Sequence, residues 1–250
     1  MDFKKRDKDN ISLIHPRTGQ RLINIPEKEI PKEPKTIDDL DKDLRRRIKK
    51  IRQEFINGLD FIRQHDHTVT FFGSAQADED ESYYKQATNL AKRLADEGID
   101  IITGGGPGVM EAANKGASQS KNGDSLGLNI DLPNEQILNP YVEDNVEFHY
   151  FFVRKVALTF SAEAFVFFPG GYGTLDEFFE MMTLVQTEKI QEIPIILFGA
   201  DFWQDLNRFI HETLKEKYTT IDPDDTELYT ICDSQQEAVD IIKSAPMREE

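Results

Sequence analysis

The stretch of sequence with the clearest chemical potential is AFVFFPGGYGTLDE, residues 164–177. An apolar run that leads through a glycine-rich turn into a helix exposes backbone N–H groups, which bind phosphate well. Thr174 and Glu177 also have the spacing of a capping box at a helix start. A carboxylate beside a phosphate-binding turn could instead stabilise positive charge on a sugar or activate water. The residues alone leave both interpretations of Glu177 open.

Two other junctions and one basic pair could take part in the same chemistry. The segments Gly73-Ser74-Ala75 and TGGGPG (103–108) each follow a short apolar run, as the PGGYGT turn does. Arg154 and Lys155 follow FHYFFV, a run too apolar to lie fully in water. Arg154 could extend from an aromatic cluster to pair with a surface carboxylate. It could equally present its planar guanidinium to an anionic ligand.

The helix after PGGYG is predicted over 174–188, with Thr174 at its start. At 100° per residue its apolar stripe consists of Leu175, Phe178, Phe179, Met182 and Val185. Glu177 lies roughly opposite this stripe. We therefore expect its side chain not to be buried on the core side of the helix.

From His67 onward, short apolar strands alternate with helical patterns. Strands that are nearly all apolar and alternate with helices are typical of a parallel sheet covered on both faces. The sequence therefore predicts an α/β fold, a Rossmann-like, doubly wound and mostly parallel sheet with an N-terminal helical extension. In such a sheet the ligand lies beyond the carboxyl ends of the strands, so the three glycine-containing junctions should share one edge.

Three regions are expected along the chain. Residues 1–35 are charged and contain four prolines, which predicts an irregular arm. Residues 36–65 read as a helical extension, and 66–250 as the Rossmann-like domain that contains the three glycine junctions. Residues 1–65 carry a net charge of +5 and the rest −21. So acidic a domain disfavours nucleic-acid binding, which requires cations to neutralise phosphates.

Other classes of protein fit less well. The glycine turns match the dinucleotide fingerprint only in part, and the G-x-x-x-x-G-K-[ST] pattern of NTPases is absent. The single cysteine, Cys232, excludes an internal disulfide and argues against a cysteine-based metal site. No apolar run is long enough to cross a membrane. We expect a soluble cytoplasmic protein without a metal or other cofactor.

Together, TGGGPGVMEAANKGA (103–117), Arg154-Lys155 and PGGYGTLDE (169–177) resemble the LOG (Lonely Guy) family. Its members are nucleoside 5′-monophosphate phosphoribohydrolases, formerly described as lysine decarboxylases. The resemblance covers about residues 67–245 and is stronger to the longer bacterial members. It implies hydrolysis of a nucleoside 5′-monophosphate, either a cytokinin riboside monophosphate or an ordinary purine or pyrimidine one, to free base and ribose 5-phosphate.

The resemblance also implies roles for particular residues. Arg154 and Glu177 would be the catalytic pair, with Lys155 beside the substrate. Glu135, in the LPNEQ loop, would be a further substrate-binding residue. The remaining contacts would come from the two glycine turns: Gly104, Gly105 and Gly106 lining the nucleotide pocket, and Gly170, Gly171, Gly173 and Thr174 holding the 5′-phosphate.

A second function stays open, because related Rossmann-like proteins bind nucleotides or carry molybdenum cofactor without catalysis. A pyridoxal-phosphate lysine decarboxylase is disfavoured, since the chain is short for that fold and no lysine has the expected Ser-x-His-Lys surroundings. The family implies a homodimer or higher homo-oligomer with the site near the interface. We expect the site to bind a small molecule, a nucleoside monophosphate, and we expect no association with a membrane.

Overall fold

The computed structural model describes residues 11–14, 21–25, 36–131 and 138–245. Glu135, an expected substrate-binding residue, lies outside the described residues. The chain divides into two compact units, Met1–Ile48 and Lys49–Glu250. This division falls within the segment 36–65 that we expected to be one helical extension.

The first unit contains a strand pair where an irregular arm was expected. Strands β1 (Ile11–Ile14) and β2 (Arg21–Ile25) pair antiparallel, with Leu13 opposite Ile23. The expectation gave too much weight to proline. Pro16 and Pro26 follow the two strands instead of interrupting them, and proline is compatible with such positions.

Helix α1 (Ile37–Ile62) begins in the first unit and ends in the second. Its start is capped by Thr36: the Asp39 amide donates to Thr36 Oγ1 at 3.2 Å, and the Thr36 amide donates to Asp39 Oδ2 at 3.2 Å. These reciprocal bonds satisfy backbone donors that the first turn of a helix leaves free. Within the second unit, Gly58 of α1 lies close to the ring of Phe148, since a Cβ at position 58 would be only 2.8 Å from that ring.

A seven-stranded parallel sheet forms the second unit, which confirms the predicted fold class. Its strands are β3 (Thr68–Phe72), β4 (Asp100–Thr103), β5 (Ser125–Ile130), β6 (Asp144–Phe148), β7 (Ala164–Phe167), β8 (Ile195–Phe198) and β9 (Thr230–Cys232). Their spatial order is β6-β5-β4-β3-β7-β8-β9. The chain therefore reverses its direction of travel between β3 and β7, and this pair marks the switch point where ligands bind in such sheets.

Helices cover both faces of the sheet, and the alternation of side chains along β7 shows why. Phe165 and Phe167 join one apolar cluster, while Ala164 and Val166 join the other. A strand with both faces buried needs apolar residues throughout. The remaining helices are α2 (Ser82–Asp96), α3 (Val109–Ala117), α4 (Phe151–Phe160), α5 (Tyr172–Gln186), α6 (Ala200–Arg208), which continues into π-helical turns over Phe209–Lys217, and α7 (Gln235–Ser244).

One apolar cluster includes side chains of α1, α4, α5 and α6, and the other includes side chains of α2, α3 and α7. No helix among the described residues is both long enough and apolar enough to span a membrane. The site discussed next lies where α3, α4 and α5 begin, at the carboxyl edge of the sheet.

Candidate active site

Hydrogen bonds connect the three glycine-containing junctions at the switch point, as the parallel sheet predicted. The Ser74 amide donates to the Pro169 carbonyl at 3.0 Å, and the Val109 amide donates to the Ser74 carbonyl at 2.9 Å. Gly108 (φ +71°) is required at this junction, because a Cβ would overlap the Ser74 carbonyl oxygen. The segment after β3 thus holds together the turns after β4 and β7.

The turn after β4 is fixed from below by buried polar side chains. Thr103 Oγ1 accepts a hydrogen bond from the Gly105 amide at 2.9 Å. Asn139 donates from its backbone to the Gly105 carbonyl at 2.9 Å and from its side chain to the Gly106 carbonyl at 3.0 Å. Asn114 Oδ1 accepts from Thr103 and Asn139 at 2.6 and 2.9 Å. Asn114 and Asn139 were not among the predicted site residues, and buried polar groups with all partners satisfied hold a turn rigid.

The structure corrects the predicted start of the helix after PGGYG. Helix α5 begins at Tyr172, with Gly171 at the N-cap position and no side chain capping it. Thr174 and Glu177 are therefore the third and sixth residues of the helix, and the capping-box interpretation is wrong. The helix begins two residues before the predicted start at Thr174. Helix boundaries read from a sequence pattern are uncertain by one or two residues.

The turn itself leaves its backbone open to a ligand. A Cβ at Gly171 or at Gly173 would meet nothing within 4 Å. Packing within the protein therefore does not require glycine at either position, whereas an anion lying on the backbone would. By contrast, a Cβ at Gly170 would overlap the Thr174 hydroxyl. Uncapped amides at a helix start carry partial positive charge and bind phosphate.

Helix α4 places Arg154 against the turn after β4. Arg154 Nε donates to the Leu128 carbonyl at 2.7 Å, and among the described residues its Nη groups have neither a hydrogen-bond acceptor nor an ion-pair partner. A Cβ at Gly104 would overlap the guanidinium, so glycine at 104 makes room for it. Burial lowers the pKa of Arg154 and the nearby Glu177 charge opposes this, but a guanidinium still remains charged. Among the described residues Arg154 pairs with no surface carboxylate, and a partly buried cation whose Nη donors have no acceptor there is suited to an anion.

Glu177 is buried, with 5% of its surface exposed. The wheel placed Glu177 away from the core side, a position that fits a cleft as well as solvent, and the structure places it beside Lys155 of α4. The buried residues of α5 are Thr174, Glu177, Phe178, Met181 and Val185, whereas Phe179, which the wheel placed in the apolar stripe, is exposed. The Glu177 carboxyl group is therefore shielded from water and still lies within the candidate site.

Burial raises the pKa of Glu177 to about 7. The charge of Lys155 opposes the shift, the charge of Glu180 adds to it, and the charge of Arg154 opposes it. Near neutral pH the carboxyl group therefore exchanges readily between its acid and base forms. Groups that act as general acids or bases have pKa values in this range.

Lys155 lies over the first turns of α5. Its Nζ forms an ion pair with Asp176 and lies 3.0 Å from Glu180 Oε2 and 3.5 Å from Glu177 Oε2. Burial lowers the pKa of Lys155, but its hydrogen bond to Asp176 and the nearby charges of Glu177 and Glu180 outweigh this and raise it. Lys155 is thus a fixed positive charge next to Glu177.

Glu54 is a residue that the sequence analysis missed. It is buried on α1, with 8% of its surface exposed, and its Oε2 accepts from the amides of His149 and Tyr150 at 3.1 and 3.0 Å. These amides immediately precede α4, so a carboxylate here stabilises the start of that helix. The available signal was a glutamate next to Phe55 on the apolar side of an amphipathic helix.

Two other features lie away from these residues. A cavity of about 510 Å³ is lined by the last residues of α5 and by residues 188–192, 224–225 and 228, and contains none of the predicted site residues. At the amino edge of the sheet, His65 Nδ1 lies 2.8 Å from Asp100 Oδ2, and Asp124 is close by. We locate the site by its chemistry, at the carboxyl edge, where Arg154, Lys155 and Glu177 meet the two glycine turns.

Comparisons with known proteins identify the family of the chain. The family described as possible lysine decarboxylase matches residues 110–242. The probable cytokinin riboside 5′-monophosphate phosphoribohydrolase LOGL3 of Oryza sativa subsp. japonica is 29% identical over 175 residues, which cover 69% of this chain and 81% of that protein. The pyrimidine/purine nucleotide 5′-monophosphate nucleosidase of Escherichia coli strain K12 is 31% identical over 177 residues, which cover 62% of this chain and 37% of that protein.

Solved structures show the same fold. The molybdenum cofactor binding protein of Rippkaea orientalis superposes with a TM-score of 0.52 at 24% identity, covering 71% of this chain and 94% of that one. The molybdenum cofactor carrier protein of Chlamydomonas reinhardtii gives 0.52 at 21% identity, covering 72% and 98%. The family match extends over more than half of the sequence and includes Arg154, Lys155 and the PGGYGT turn, and the chain therefore belongs to the LOG family, described as possible lysine decarboxylase.

Proposed function

We propose that the protein hydrolyses the N-glycosidic bond of a nucleoside 5′-monophosphate, giving free base and ribose 5-phosphate. The observation that carries this proposal is the buried carboxyl group of Glu177, which lies within two helical turns of an uncapped, glycine-lined helix start. A phosphate held at that turn would bring the attached ribose close to a carboxyl group whose pKa is near neutrality. The names of the relatives support the same substrate class.

The turn after β7 would bind the 5′-phosphate through Gly170, Gly171, Gly173 and Thr174. Its amides carry the partial charge of the α5 dipole. The turn after β4, with Gly104, Gly105 and Gly106, would line the nucleotide pocket beside Arg154. Glu135 lies outside the described residues, and its role as a substrate-binding residue is a proposal from the family resemblance alone.

In the reaction, the bond between C1′ and the base nitrogen breaks and its electron pair leaves with the base. The sugar passes through an oxocarbenium-like state, which the ionised Glu177 carboxylate stabilises. The same carboxylate accepts a proton from the water that attacks C1′. Arg154 orients the substrate or the departing base through its free Nη donors. Water supplies the hydroxyl of ribose 5-phosphate and the proton that the base gains.

A panel of purine and pyrimidine monophosphates, including the isopentenyl-adenosine one, tests this proposal. Free base and ribose 5-phosphate should appear in equal amounts from at least one of them. Binding of nucleotides without turnover would favour the second function, a non-catalytic nucleotide or molybdenum-cofactor carrier, which the fold of two neighbours suggests. The panel also identifies the base. This measurement is needed because the aligned segment covers only 37% of the Escherichia coli protein, so the name of that protein does not determine the substrate here.

We also propose that the protein is a cytoplasmic homodimer or higher homo-oligomer that binds no nucleic acid. Phe151 and Phe152 on α4 are 50% and 49% exposed, and Phe160 at its end is 50% exposed. Exposed aromatic side chains clustered on one helix favour a contact with another protein surface. Light scattering should give a mass of at least two chains, and a mass of one chain would contradict the proposal.

A further inference from the structure

Two carboxylate oxygens on α5 are buried without a hydrogen-bond donor. They are Glu177 Oε2 and Glu180 Oε2. The residues are three apart, so their side chains lie on the same side of the helix. An acceptor that has lost its water and gained no donor costs free energy, and two such acceptors side by side repel each other when both are charged.

Lys155 does not remove this difficulty. Its Nζ lies 3.0 Å from Glu180 Oε2 and 3.5 Å from Glu177 Oε2, but neither oxygen has a hydrogen-bond partner, and the ammonium is bonded directly to Asp176. Among the described residues, the charged groups around the Glu177 carboxyl come from α4 and α5. With all of them ionised, three carboxylates on α5 face the two cations Arg154 and Lys155 on α4, an excess of one negative charge.

A single proton placed between the two glutamates resolves both problems. It supplies the donor that one orphan oxygen lacks, and it removes the excess negative charge. Both carboxyl groups lie within 3.5 Å of the same ammonium nitrogen. Neighbouring carboxyl groups take up one proton readily, and their titration then belongs to the pair. Asp176 is not a candidate for the same role, because more than half of its side chain is exposed and Lys155 already satisfies it.

We propose that Glu180 is a positioning residue that shares one proton with Glu177 next to the Lys155 ammonium, so that the pair carries one negative charge around neutral pH. The proton sharing stands on the geometry alone; its consequence for catalysis rests on the proposed function. In that reaction the pair accepts a proton from water after the shared proton has left, and Glu180 controls the pH at which the shared proton leaves.

The first test follows the carboxyl carbons by NMR in protein labelled with ¹³C-glutamate, with the Glu177 signal assigned by its loss in Glu177→Gln. In the unsubstituted protein the Glu177 signal should titrate in two steps, one for each proton of the pair. In Glu180→Gln it should titrate in one step, with its midpoint lowered by on the order of one pH unit. The matched control Asp176→Asn also removes one carboxylate from Lys155, but it should keep the two steps and should not lower the midpoint.

Other outcomes overturn the proposal. A Glu177 midpoint that Glu180→Gln leaves in place shows that no proton is shared. A shift of equal size in Asp176→Asn shows that any nearby charge suffices. Because this titration needs no substrate, its result is independent of whether the protein hydrolyses nucleotides.

The second test measures the pH dependence of kcat/KM for the best substrate of the monophosphate panel. The acid limb should move to lower pH in Glu180→Gln by the same amount as the NMR midpoint, and not in Asp176→Asn. If Glu180→Gln shifts the NMR midpoint of Glu177 but not the acid limb of kcat/KM, the shared proton exists but has no catalytic role. A panel with no substrate would refute the proposed function and leave the NMR result to decide on the shared proton.

Discussion

Gly104→Ala should displace the Arg154 guanidinium while leaving the stability of the fold nearly unchanged. The added Cβ would meet the Arg154 guanidinium and, at 2.8 Å, the sulfur of Met110. Both are the far ends of flexible side chains, and the backbone at 104 has no positive φ. The fold can therefore accept alanine, and the free energy of unfolding should change by less than about 1 kcal/mol.

Activity should respond very differently. The guanidinium must move by on the order of 1 Å to clear the new methyl group, and displacements of that size cost roughly 100-fold in rate. We expect kcat/KM for a nucleoside monophosphate to fall by about this factor while the urea midpoint stays close to that of the unsubstituted protein.

Gly116→Ala is the matched control. Its Cβ would meet the Thr88 carbonyl and the Lys92 amide, which are backbone atoms of α2 and cannot turn aside. This variant should lose stability by about 1–3 kcal/mol, while the rate per folded molecule changes little. Full activity in Gly104→Ala would refute the requirement for Arg154 in its observed position, and a large loss of stability there would refute the packing argument.

Three further outcomes are expected. Burial raises the folded-state pKa of Glu177 from 4.5 to about 7, so its contribution to the free energy of unfolding falls as pH rises from 4.5 to 7, by on the order of 2–3 kcal/mol. Urea titrations of Glu177→Gln should lack this fall. The same pH dependence in the variant and the unsubstituted protein would contradict the raised pKa. Glu54→Ala should destabilise the protein by about 1–2 kcal/mol, because the amides of His149 and Tyr150 lose their acceptor. It should also lower kcat because α4 carries Arg154, whereas Glu54→Gln should be milder; thermal melts and initial rates decide. The acid limb of kcat/KM in the unsubstituted protein should lie near pH 7, where Glu177 ionises, and a limb near pH 4.5 would show that the group stays hydrated in solution.

The sequence was sufficient for the arrangement of the sheet and for the edge on which the site lies. Continuous apolar strands can only be buried on both faces, and parallel strands bring the turns after Phe72, Thr103 and Phe167 to one side. The pairing of Arg154 with this edge came from family resemblance, because nothing in the local pattern indicates which way a half-buried arginine points.

The errors share a physical cause, namely that local patterns do not include neighbouring elements. The wheel for α5 did not include α4, whose Lys155 lies beside the buried Glu177. The capping-box spacing of Thr174 and Glu177 recurs by chance in a helix that Gly171 already starts. Glu54 was missed because its partners, the amides before α4, lie 95 and 96 residues away in sequence.

The most direct test of the central claim compares the unsubstituted protein with Glu177→Gln on the best substrate of the monophosphate panel. Free base and ribose 5-phosphate should be released in equal amounts by the former, and roughly 100- to 10,000-fold more slowly by the folded variant. Turnover by Glu177→Gln at a near-normal rate would contradict the account.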